Sequence, residues 1–210
     1  MEKNEQLKIL KEKFENLKNT CVCYNENYEK YILEFHKLPS LTENIIVPAL
    51  SIDVDEGAAM WQYLLDYYYN KLPGDDSLYR ITDEVLENAN HTALAQVFRN
   101  YDRICEYVFL ISDSSYFLYE SWFIRDAVFD NEYDLADKLI PLILQNDNGE
   151  KTAQEKFFQL LMQMIDTTGW YMQSEHIDYV AKWIPSLVDS SKRDEVELKL
   201  LKAIDVVENG

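Results

Sequence analysis

The chain has 210 residues, 47% hydrophobic and 13% aromatic, and a formal charge of −18 at pH 7. A chain of this size buries a core without disulfides or metal ions, and its five glycines and five prolines are too few for the turns of an all-β fold. The composition therefore predicts an all-α protein with a single domain over residues 1–210.

The negative charge is concentrated in the middle of the chain. Residues 39–189 contain 9 Lys and Arg against 26 Asp and Glu, whereas residues 1–38 contain 7 against 7. An acidic surface repels nucleic acid and anionic lipid and accelerates the encounter with a basic protein. We therefore expect a basic protein partner, no nucleic acid and no membrane. The alternative is that the acidity serves only to keep the protein soluble.

The N-terminus and the cysteines predict a cytoplasmic location. Charges are spread through the N-terminal residues, and no apolar run approaches the roughly 18 residues of a membrane span. Cys21, Cys23 and Cys105 are odd in number and lack metal-site spacing, which is typical of reduced thiols. We expect all three cysteines to be structural.

Two amphipathic stripes predict a pair of helices within residues 1–38. Apolar residues at steps of three and four occupy one face of a helix. The first stripe consists of Leu7, Leu10, Phe14 and Leu17, and the second of Tyr28, Tyr31, Ile32 and Phe35.

Further helices are predicted from Thr42 onward by their boundary signals. Thr152 and Glu155 have the spacing of a capping box, Gly169 lies where a helix would end, and Ser174 precedes the next periodic run. The segment LPGDDS at 72–77 is the clearest break between helices.

A proline-marked segment occurs twice at an offset of 44 residues, because 132–144 (EYDLADKLIPLIL) aligns without gaps on 176–188 (HIDYVAKWIPSLV). Four positions are identical, and they include Pro141 and Pro185. The aligned apolar positions have the spacing of a helix face. They are Tyr133, Ala136, Ile140 and Ile143 in the first segment and Ile177, Val180, Ile184 and Leu187 in the second.

A polar turn and a second amphipathic run follow each of these prolines, and also Pro48 in IVPAL at 46–50. A degenerate copy without proline is predicted at LAQVF, 94–98. In the second amphipathic run of each copy, the apolar residues lie at the same sequence distance from the proline. In the last copy they lie one residue nearer to it. They are Leu64, Leu65 and Tyr68, then Phe157, Phe158 and Leu161, then Leu200, Leu201 and Ile204.

This pattern resembles HEAT and armadillo repeats, whose period is about 40 to 47 residues. The resemblance covers residues 42–207. It implies HEAT-like antiparallel helix hairpins stacked into a curved array, which with the N-terminal pair makes about nine helices. In such an array the proline bends the first helix of a hairpin. The alternative is that each proline begins a short new helix.

Residues 115–130 (SYFLYESWFIRDAVFD) do not fit the repeat. Their polar residues are scattered around the helix, so no single face is polar, which is typical of a buried central helix. The alternative is that the aromatic residues form a binding surface. These aromatic residues are Tyr116, Phe117, Trp122 and Phe123.

The sequence contains no motif for catalysis, a cofactor or a metal. It has no glycine-rich phosphate loop, no H-E-x-x-H, no G-x-S-x-G and no Cys/His cluster. His36, His91 and His176 are isolated, and we predict that they are surface or boundary residues. We therefore expect no enzyme activity, no cofactor and no metal.

The predicted partner-binding residues belong to the acidic middle of the chain. In WQYLLDYYY at 61–69, an apolar face leaves Tyr63 and Tyr67 on the far side of the helix with Asp66 beside them. Tyrosine offers a large contact area at low entropic cost. Asp102 and Glu106 complete the predicted set. The alternative for the tyrosines is packing against a neighbouring repeat.

From these features we expect a non-catalytic acidic module that binds and masks a basic protein. An immunity protein acts in this way on a nuclease toxin, as does an inhibitor on a nucleic-acid-handling enzyme. One alternative is an α-helical repeat scaffold that binds an amphipathic helix of a partner. Another is an enzyme whose carboxylate site is assembled from distant helices.

Overall fold

The computed structural model describes residues 3–18, 41–71, 76–112, 117–149, 151–166 and 173–209. Within these ranges every regular element is helical, which confirms the all-α prediction. The same ranges contain eleven α-helices, so the prediction of about nine was wrong. The backbone leaves the helical region at Asp53 (φ −150°, ψ 110°) and at Tyr101 (φ −121°, ψ 80°), and a new helix follows each of these residues.

Residues 1–108 form one compact unit. Its longest helix, α3, contacts α2, α4, α5 and α6, while α1 packs against the π-helical turn and α2. The elements are α1 (Lys3–Lys18), a π-helical turn (Thr42–Ile46), α2 (Val47–Ile52), α3 (Val54–Lys71), α4 (Asp76–Asn88), α5 (His91–Asn100) and α6 (Asp102–Cys105). A second π-helical segment, Glu106–Ile111, continues α6.

The first predicted stripe lies on a helix, where Leu10 and Phe14 are buried and Leu7 is half-buried. Leu10 and Phe14 of α1 are 6% and 4% exposed. The second stripe, at 28–35, lies outside the described residues, as do Cys21, Cys23 and His36. Cys105 is a buried free thiol. On α3, the predicted apolar face is buried at Trp61, Leu64 and Leu65.

Helices α2 and α3 approach each other closely at Gly57. A Cβ atom at this position would lie 2.5 Å from the backbone nitrogen of Leu50 and 2.7 Å from its Cα. The Asp53 carboxylate accepts a hydrogen bond from the Glu56 backbone N–H at 3.1 Å, which caps the start of α3. The tight corner between the two helices therefore requires glycine at 57.

Residues 109–210 form the second unit. Helix α7 contacts α8 and α9, and α9 also contacts α10 and α11. The elements are α7 (Tyr119–Phe129), α8 (Tyr133–Ile143), α9 (Ala153–Asp166), α10 (Ser174–Trp183), a 3-10 turn (Ile184–Ser186) and α11 (Ser190–Asn209). The prediction of a single domain over 1–210 stays a prediction.

Helix α7 packs on two neighbours, but it is not buried on all sides. Phe117 and Phe123 are buried, whereas Trp122 is 39% exposed and Leu118 36%. Ser121 is also buried, because its hydroxyl donates to the Phe117 carbonyl at 2.7 Å and so needs no water. The predicted burial of Trp122 was wrong, and Tyr116 lies outside the described residues.

The aligned apolar positions of the two proline-marked segments share their burial. Ala136, Ile140 and Ile143 on the first segment are buried, as are Val180, Ile184 and Leu187 on the second; the pair Tyr133 and Ile177 is half-buried. Helices α8 and α9 are in contact, as are α10 and α11. The alignment therefore predicted which face of each first helix points to the core.

The prolines themselves occupy different positions. Pro141 lies inside the last turn of α8, whereas Pro185 is the second residue of the 3-10 turn after α10 and Pro48 is the second residue of α2. The backbone is helical at Ile46 and Val47 before Pro48 and at Trp183 and Ile184 before Pro185, so in both places the helical run continues into the proline. The interpretation of these prolines as a bend within a helix stays a prediction.

Two helix starts were predicted from caps. The capping box is confirmed, because the Thr152 N–H donates to Glu155 Oε2 at 2.8 Å and the Glu155 N–H donates to Thr152 Oγ1 at 3.3 Å. The Glu155 carboxylate accepts from both the N–H and the hydroxyl of Thr152, and these two bonds lower the pKa of Glu155. Ser174 is the first residue of α10 and Gln173 precedes it as the cap, so that boundary was wrong by one residue. Gly169 lies outside the described residues.

The polar turn between α8 and α9 fastens the end of the second π-helical segment. Asn146 Nδ2 donates to the carbonyls of Phe109 and Ser112, both at 3.1 Å. Asn148 Nδ2 donates to Leu110 O at 3.2 Å and Ile111 O at 3.0 Å. The side chains thereby satisfy carbonyls that the ending helix leaves without a partner.

Lys156 of α9 is fully buried beneath this turn. Its Nζ donates to Asn148 O at 2.6 Å and to Asn146 Oδ1 at 3.1 Å. A buried ammonium is tolerated only when hydrogen-bonded, and here the carbonyl groups of the turn provide acceptors.

Candidate functional site

Residues of α3 and of the segment 102–107 meet around Asp66 in the first unit. We call Asp66, Tyr69, Arg103, Glu106 and Tyr107 the Asp66 cluster. Tyr107 Oη donates to Asp66 Oδ1 at 2.5 Å, and Arg103 Nη2 donates to Tyr107 Oη at 2.7 Å. Arg103 Nη1 donates to Glu106 Oε2 at 3.0 Å, and Arg103 Nε lies 3.6 Å from Asp66 Oδ1. These contacts link two carboxylates through one tyrosine and one arginine.

The local helix geometry explains how these side chains come together. Arg103 and Tyr107 are four residues apart and Arg103 and Glu106 three apart, spacings that place side chains on one helix face. The buried residues Ile104 and Cys105 between them anchor the segment to the core. Arg103 and Glu106 are thereby held at the surface, where their side chains are 42% and 43% exposed.

Two tyrosine rings and the guanidinium contact one another within the cluster, with the ring planes tilted by 59°. The ring centroids of Tyr69 and Tyr107 are 5.3 Å apart, and Arg103 Cζ lies 4.4 Å from the Tyr107 centroid and 5.7 Å from that of Tyr69. Such cation–π contacts orient an arginine while its N–H groups bond carboxylates. Tyr107 is fully buried, whereas Tyr69 is 37% exposed and presents its ring at the surface.

The net charge at the cluster is negative. The Asp66 side chain is 41% exposed, and Asp102, at the start of α6, is also exposed. Within the cluster, Asp66 and Glu106 provide two carboxylates against the single guanidinium of Arg103. Hydrogen bonding to Glu106 raises the pKa of Arg103 above its ordinary value, so the arginine stays charged.

The environment of Tyr107 favours its neutral form. Burial raises the pKa of Tyr107 to about 12, and the hydrogen bond to Asp66 adds to the effect, while Arg103 opposes it. Tyr101, whose Oη donates to Asp55 Oδ1 at 2.8 Å, also has its pKa raised to about 12 by burial and this bond.

Because the pKa of Tyr107 is raised in the folded state, the free energy of unfolding should fall as the pH rises from 10 to 12. The folded-state pKa of Tyr107 lies above the unfolded value of about 10, so its stabilising contribution is complete below pH 10 and is lost through pH 12. We expect Tyr107→Phe to reduce this loss by about 1 to 2 kcal/mol, less than the full linkage value because Asp66 is solvent-screened. Urea unfolding at several pH values measures it. The exposed Tyr63→Phe serves as control, and equal pH dependence of the Tyr107→Phe variant and the wild type would contradict the assignment.

The structure separates the predicted residues into two groups. Asp66 and Glu106 are joined through Arg103, and Asp102 lies in the same helical segment. Tyr63 instead packs against α1, where its ring meets Phe14 edge-on at 5.8 Å and Lys18 Nζ lies 4.9 Å from the ring centroid. Tyr67 is half-buried. A binding role for these residues stays a prediction.

Sequence reasoning missed Tyr69, Arg103 and Tyr107. The spacing of Arg103, Glu106 and Tyr107 indicates a shared helix face, and this signal was present in the sequence. The bond from Tyr107 to Asp66 spans 41 residues and depends on how α3 meets segment 102–107. No local pattern predicts it.

A related arrangement occurs in the second unit between α8 and α10. Tyr179 Oη donates to Asp137 Oδ1 at 2.8 Å, and Lys182 Nζ donates to both Asp137 oxygens at 2.8 Å. The Tyr133 ring stacks on Tyr179 with centroids 4.7 Å apart and planes at 23°. Burial, followed by the bond to Asp137, raises the pKa of Tyr179. Lys182 therefore engages both oxygens of this carboxylate and neutralises it within its own unit.

The described residues contain no group of three or more His, Cys, Asp or Glu side chains arranged to hold a metal ion. The prediction that His176 is a surface or boundary residue was wrong, because the residue is 3% exposed. Its Nδ1 accepts a hydrogen bond from the Gln173 N–H at 3.2 Å, so the ring is buried as a helix cap. Among the described helices, none combines the length and apolar character that crossing a bilayer requires.

No protein-family model matches the chain, and no curated protein or solved structure matches it. The described residues define an all-α class of mutually packed helices, compatible with a helical repeat architecture.

Proposed function

We propose that this protein is a non-catalytic acidic module that binds and masks a basic protein partner. The proposal places it in the functional class of immunity proteins and inhibitors, acting on a nuclease toxin or a nucleic-acid-handling enzyme. The supporting observation is the Asp66 cluster, where partly exposed carboxylates are fixed by a buried tyrosine and a stacked arginine.

Fixed carboxylates suit the recognition of lysine and arginine side chains. Tyr107 and Arg103 hold Asp66 and Glu106 before a partner arrives, so less conformational entropy is lost on binding. A carboxylate oxygen accepts several hydrogen bonds, so the oxygens of Asp66 and Glu106 can receive further donors. The exposed ring of Tyr69 adds apolar contact area beside them.

The overall charge supports the same kind of partner. The chain carries −18, which accelerates association with a positively charged surface and opposes contact with nucleic acid. An enzyme that handles nucleic acid offers such a surface, because it neutralises phosphates with lysine and arginine. Carboxylates that occupy this surface would mask it from its substrate.

We also infer that the second unit is built from HEAT-like hairpins. The first helices, α8 and α10, have matching buried positions, and the second helices, α9 and α11, are in contact. The first helices touch through the stacked rings of Tyr133 and Tyr179. First-to-first and second-to-second contacts are the arrangement expected of stacked repeats.

Affinity capture from the native host, followed by salt elution, tests the proposed function. We expect the immobilised chain to retain a basic protein at low salt and to release it as salt rises, because dissolved ions screen the attraction between exposed charges. At physiological ionic strength this attraction decays over about 8 Å. A retained partner whose affinity is indifferent to salt would contradict charge-driven masking.

Charge-matched variants assign the captured partner to the Asp66 cluster. We expect Asp66→Asn with Glu106→Gln to weaken binding about tenfold or more, equivalent to about 1.4 kcal/mol. The side-chain amide oxygen introduced by Asp66→Asn would still accept from Tyr107, so folding should persist. The control, Glu175→Gln with Asp178→Asn, removes the same charge from exposed positions of the second unit. Equal loss in both variants would show a general charge effect and no role for the cluster.

A further inference from the structure

The turn between α8 and α9 contains an asparagine followed directly by a glycine, Asn148 and Gly149. Both residues are exposed, and Gly149 has a φ of 87°, a conformation that strains any residue with a side chain. Asn148 Nδ2 donates to Leu110 O and Ile111 O, which an amide can do and a carboxylate cannot. The fold therefore favours this pair, with glycine for the backbone of the turn and an amide for the two carbonyls.

An asparagine that precedes glycine is open to attack by its own backbone, because glycine has no Cβ to obstruct the approach. The Gly149 nitrogen gives up its proton and forms a bond to Cγ of Asn148. The Cγ–Nδ2 bond breaks, ammonia leaves, and a cyclic succinimide remains. Water then opens the ring. Opening at Cγ gives aspartate, and opening at the main-chain carbonyl gives isoaspartate, in which the chain runs through the former side chain.

The structure leaves the attacking nitrogen available and activates it. Among the described residues, none accepts a hydrogen bond from the Gly149 N–H. When this nitrogen loses its proton, the Asn148 carbonyl oxygen shares the negative charge, and that oxygen accepts from Lys156 Nζ at 2.6 Å. A buried ammonium at this distance stabilises the charge. The turn is exposed, so water reaches it and can open the ring.

We propose that Asn148 is a site of spontaneous deamidation, and that the reaction releases the end of the second π-helical segment. Either product carries a carboxylate, which accepts hydrogen bonds but donates none. Leu110 O and Ile111 O therefore lose their partners, while the two bonds of Asn146 to this segment remain. The segment is thus held by fewer bonds in the modified protein.

Peptide mapping by mass spectrometry of the folded, full-length protein tests the site. The protein is incubated in mildly alkaline buffer, because the attacking nitrogen must lose its proton, and the acid formed at each asparagine is followed with time. Asn131, exposed and followed by Glu132, and Asn146, buried and followed by Asp147, are internal controls. We expect Asn148 to be modified at least about tenfold faster than either control, because of the three only Asn148 precedes a residue without a Cβ.

Hydrogen exchange tests the release of the segment. Residues 109–112 should exchange about tenfold faster in the modified protein than in the fresh protein, and Asn148→Asp should reproduce this change. Asn131→Asp adds the same charge at an exposed position of the same unit, where the carboxylate can still accept from Tyr133 Oη. In this control, residues 109–112 should exchange as in the wild type. Circular dichroism verifies that each variant keeps its helical content.

Two results would overturn the proposal. Asn148 could be modified no faster than Asn131, which would show that the hydrogen bonds of its amide protect it in the folded protein. Residues 109–112 could exchange at the same rate in the modified and the fresh protein, which would show that the Asn148 amide does not hold the segment.

Discussion

Replacement of Asn146 by alanine is expected to lower the free energy of unfolding by about 3 to 5 kcal/mol. The Asn146 side chain is 1% exposed and donates to Phe109 O and Ser112 O. Its Oδ1 accepts from Lys156 Nζ at 3.1 Å and from the Asn148 N–H at 3.0 Å. Alanine would leave several buried polar groups with fewer partners, at about 1 to 3 kcal/mol for each that stays unsatisfied.

Asn148→Ala is the matched control for this prediction. Asn148 also bonds two carbonyls, Leu110 O and Ile111 O, but it is exposed, so water can replace its amide. We expect its loss to cost about 1 kcal/mol. Chemical denaturation of both variants measures the difference. Equal, small effects would show that the turn does not fasten the π-helical segment.

Gly57→Ala is expected to destabilise the protein by about 2 to 3 kcal/mol. The added methyl group would meet the Leu50 backbone nitrogen at 2.5 Å and its Cα at 2.7 Å. Both are backbone atoms, so α2 and α3 would have to separate. Urea unfolding monitored by circular dichroism measures the change.

Whether Gly57→Ala stabilises or destabilises the protein is informative, because helix propensity alone would make the alanine variant more stable. In an unobstructed helix, alanine is favoured over glycine by about 1 kcal/mol. Ala59→Gly, at an exposed position of the same helix, measures that term and should destabilise by about this amount. A Gly57→Ala variant more stable than the wild type would contradict the close approach of α2 and α3.

Local periodicity predicted the helices and much of the core. Leu10 and Phe14 on α1, and Ile140 and Ile184 at the aligned positions of α8 and α10, are buried as their spacing indicates. These predictions succeed because a helix turns by a fixed angle per residue, so the face of a side chain follows from its sequence position. The capping box at Thr152 is equally local.

Contacts between distant segments were not predictable in the same way. Trp122 and Leu201 are exposed although their neighbours in sequence are buried, because the packing of the whole unit selects one helix face. The pairing of Tyr107 with Asp66 depends on the crossing of two helical segments. Asn146 belongs to a turn that the sequence marked only as polar, and its partners Phe109 and Ser112 precede it by 37 and 34 residues.

The Asp66 cluster and the group of Tyr179, Asp137 and Lys182 in the second unit contain similar residue types in different arrangements. In both, a tyrosine hydroxyl donates to an aspartate that a cation also contacts. Lys182 bonds both oxygens of Asp137, whereas Arg103 divides its contacts between Asp66, Glu106 and Tyr107. One cation thus orients two carboxylates in the Asp66 cluster and leaves a net negative charge there. This difference is why we assign partner binding to the Asp66 cluster.

Hydrogen exchange of the chain with and without its captured basic partner tests the binding claim most directly. We expect slower amide hydrogen exchange in residues 61–71 of α3 and in residues 102–107 when the partner is bound at low salt. This protection should be lost when salt dissociates the complex. If the complex forms while both segments exchange at the rates of the free protein, the assignment of partner binding to the Asp66 cluster is contradicted.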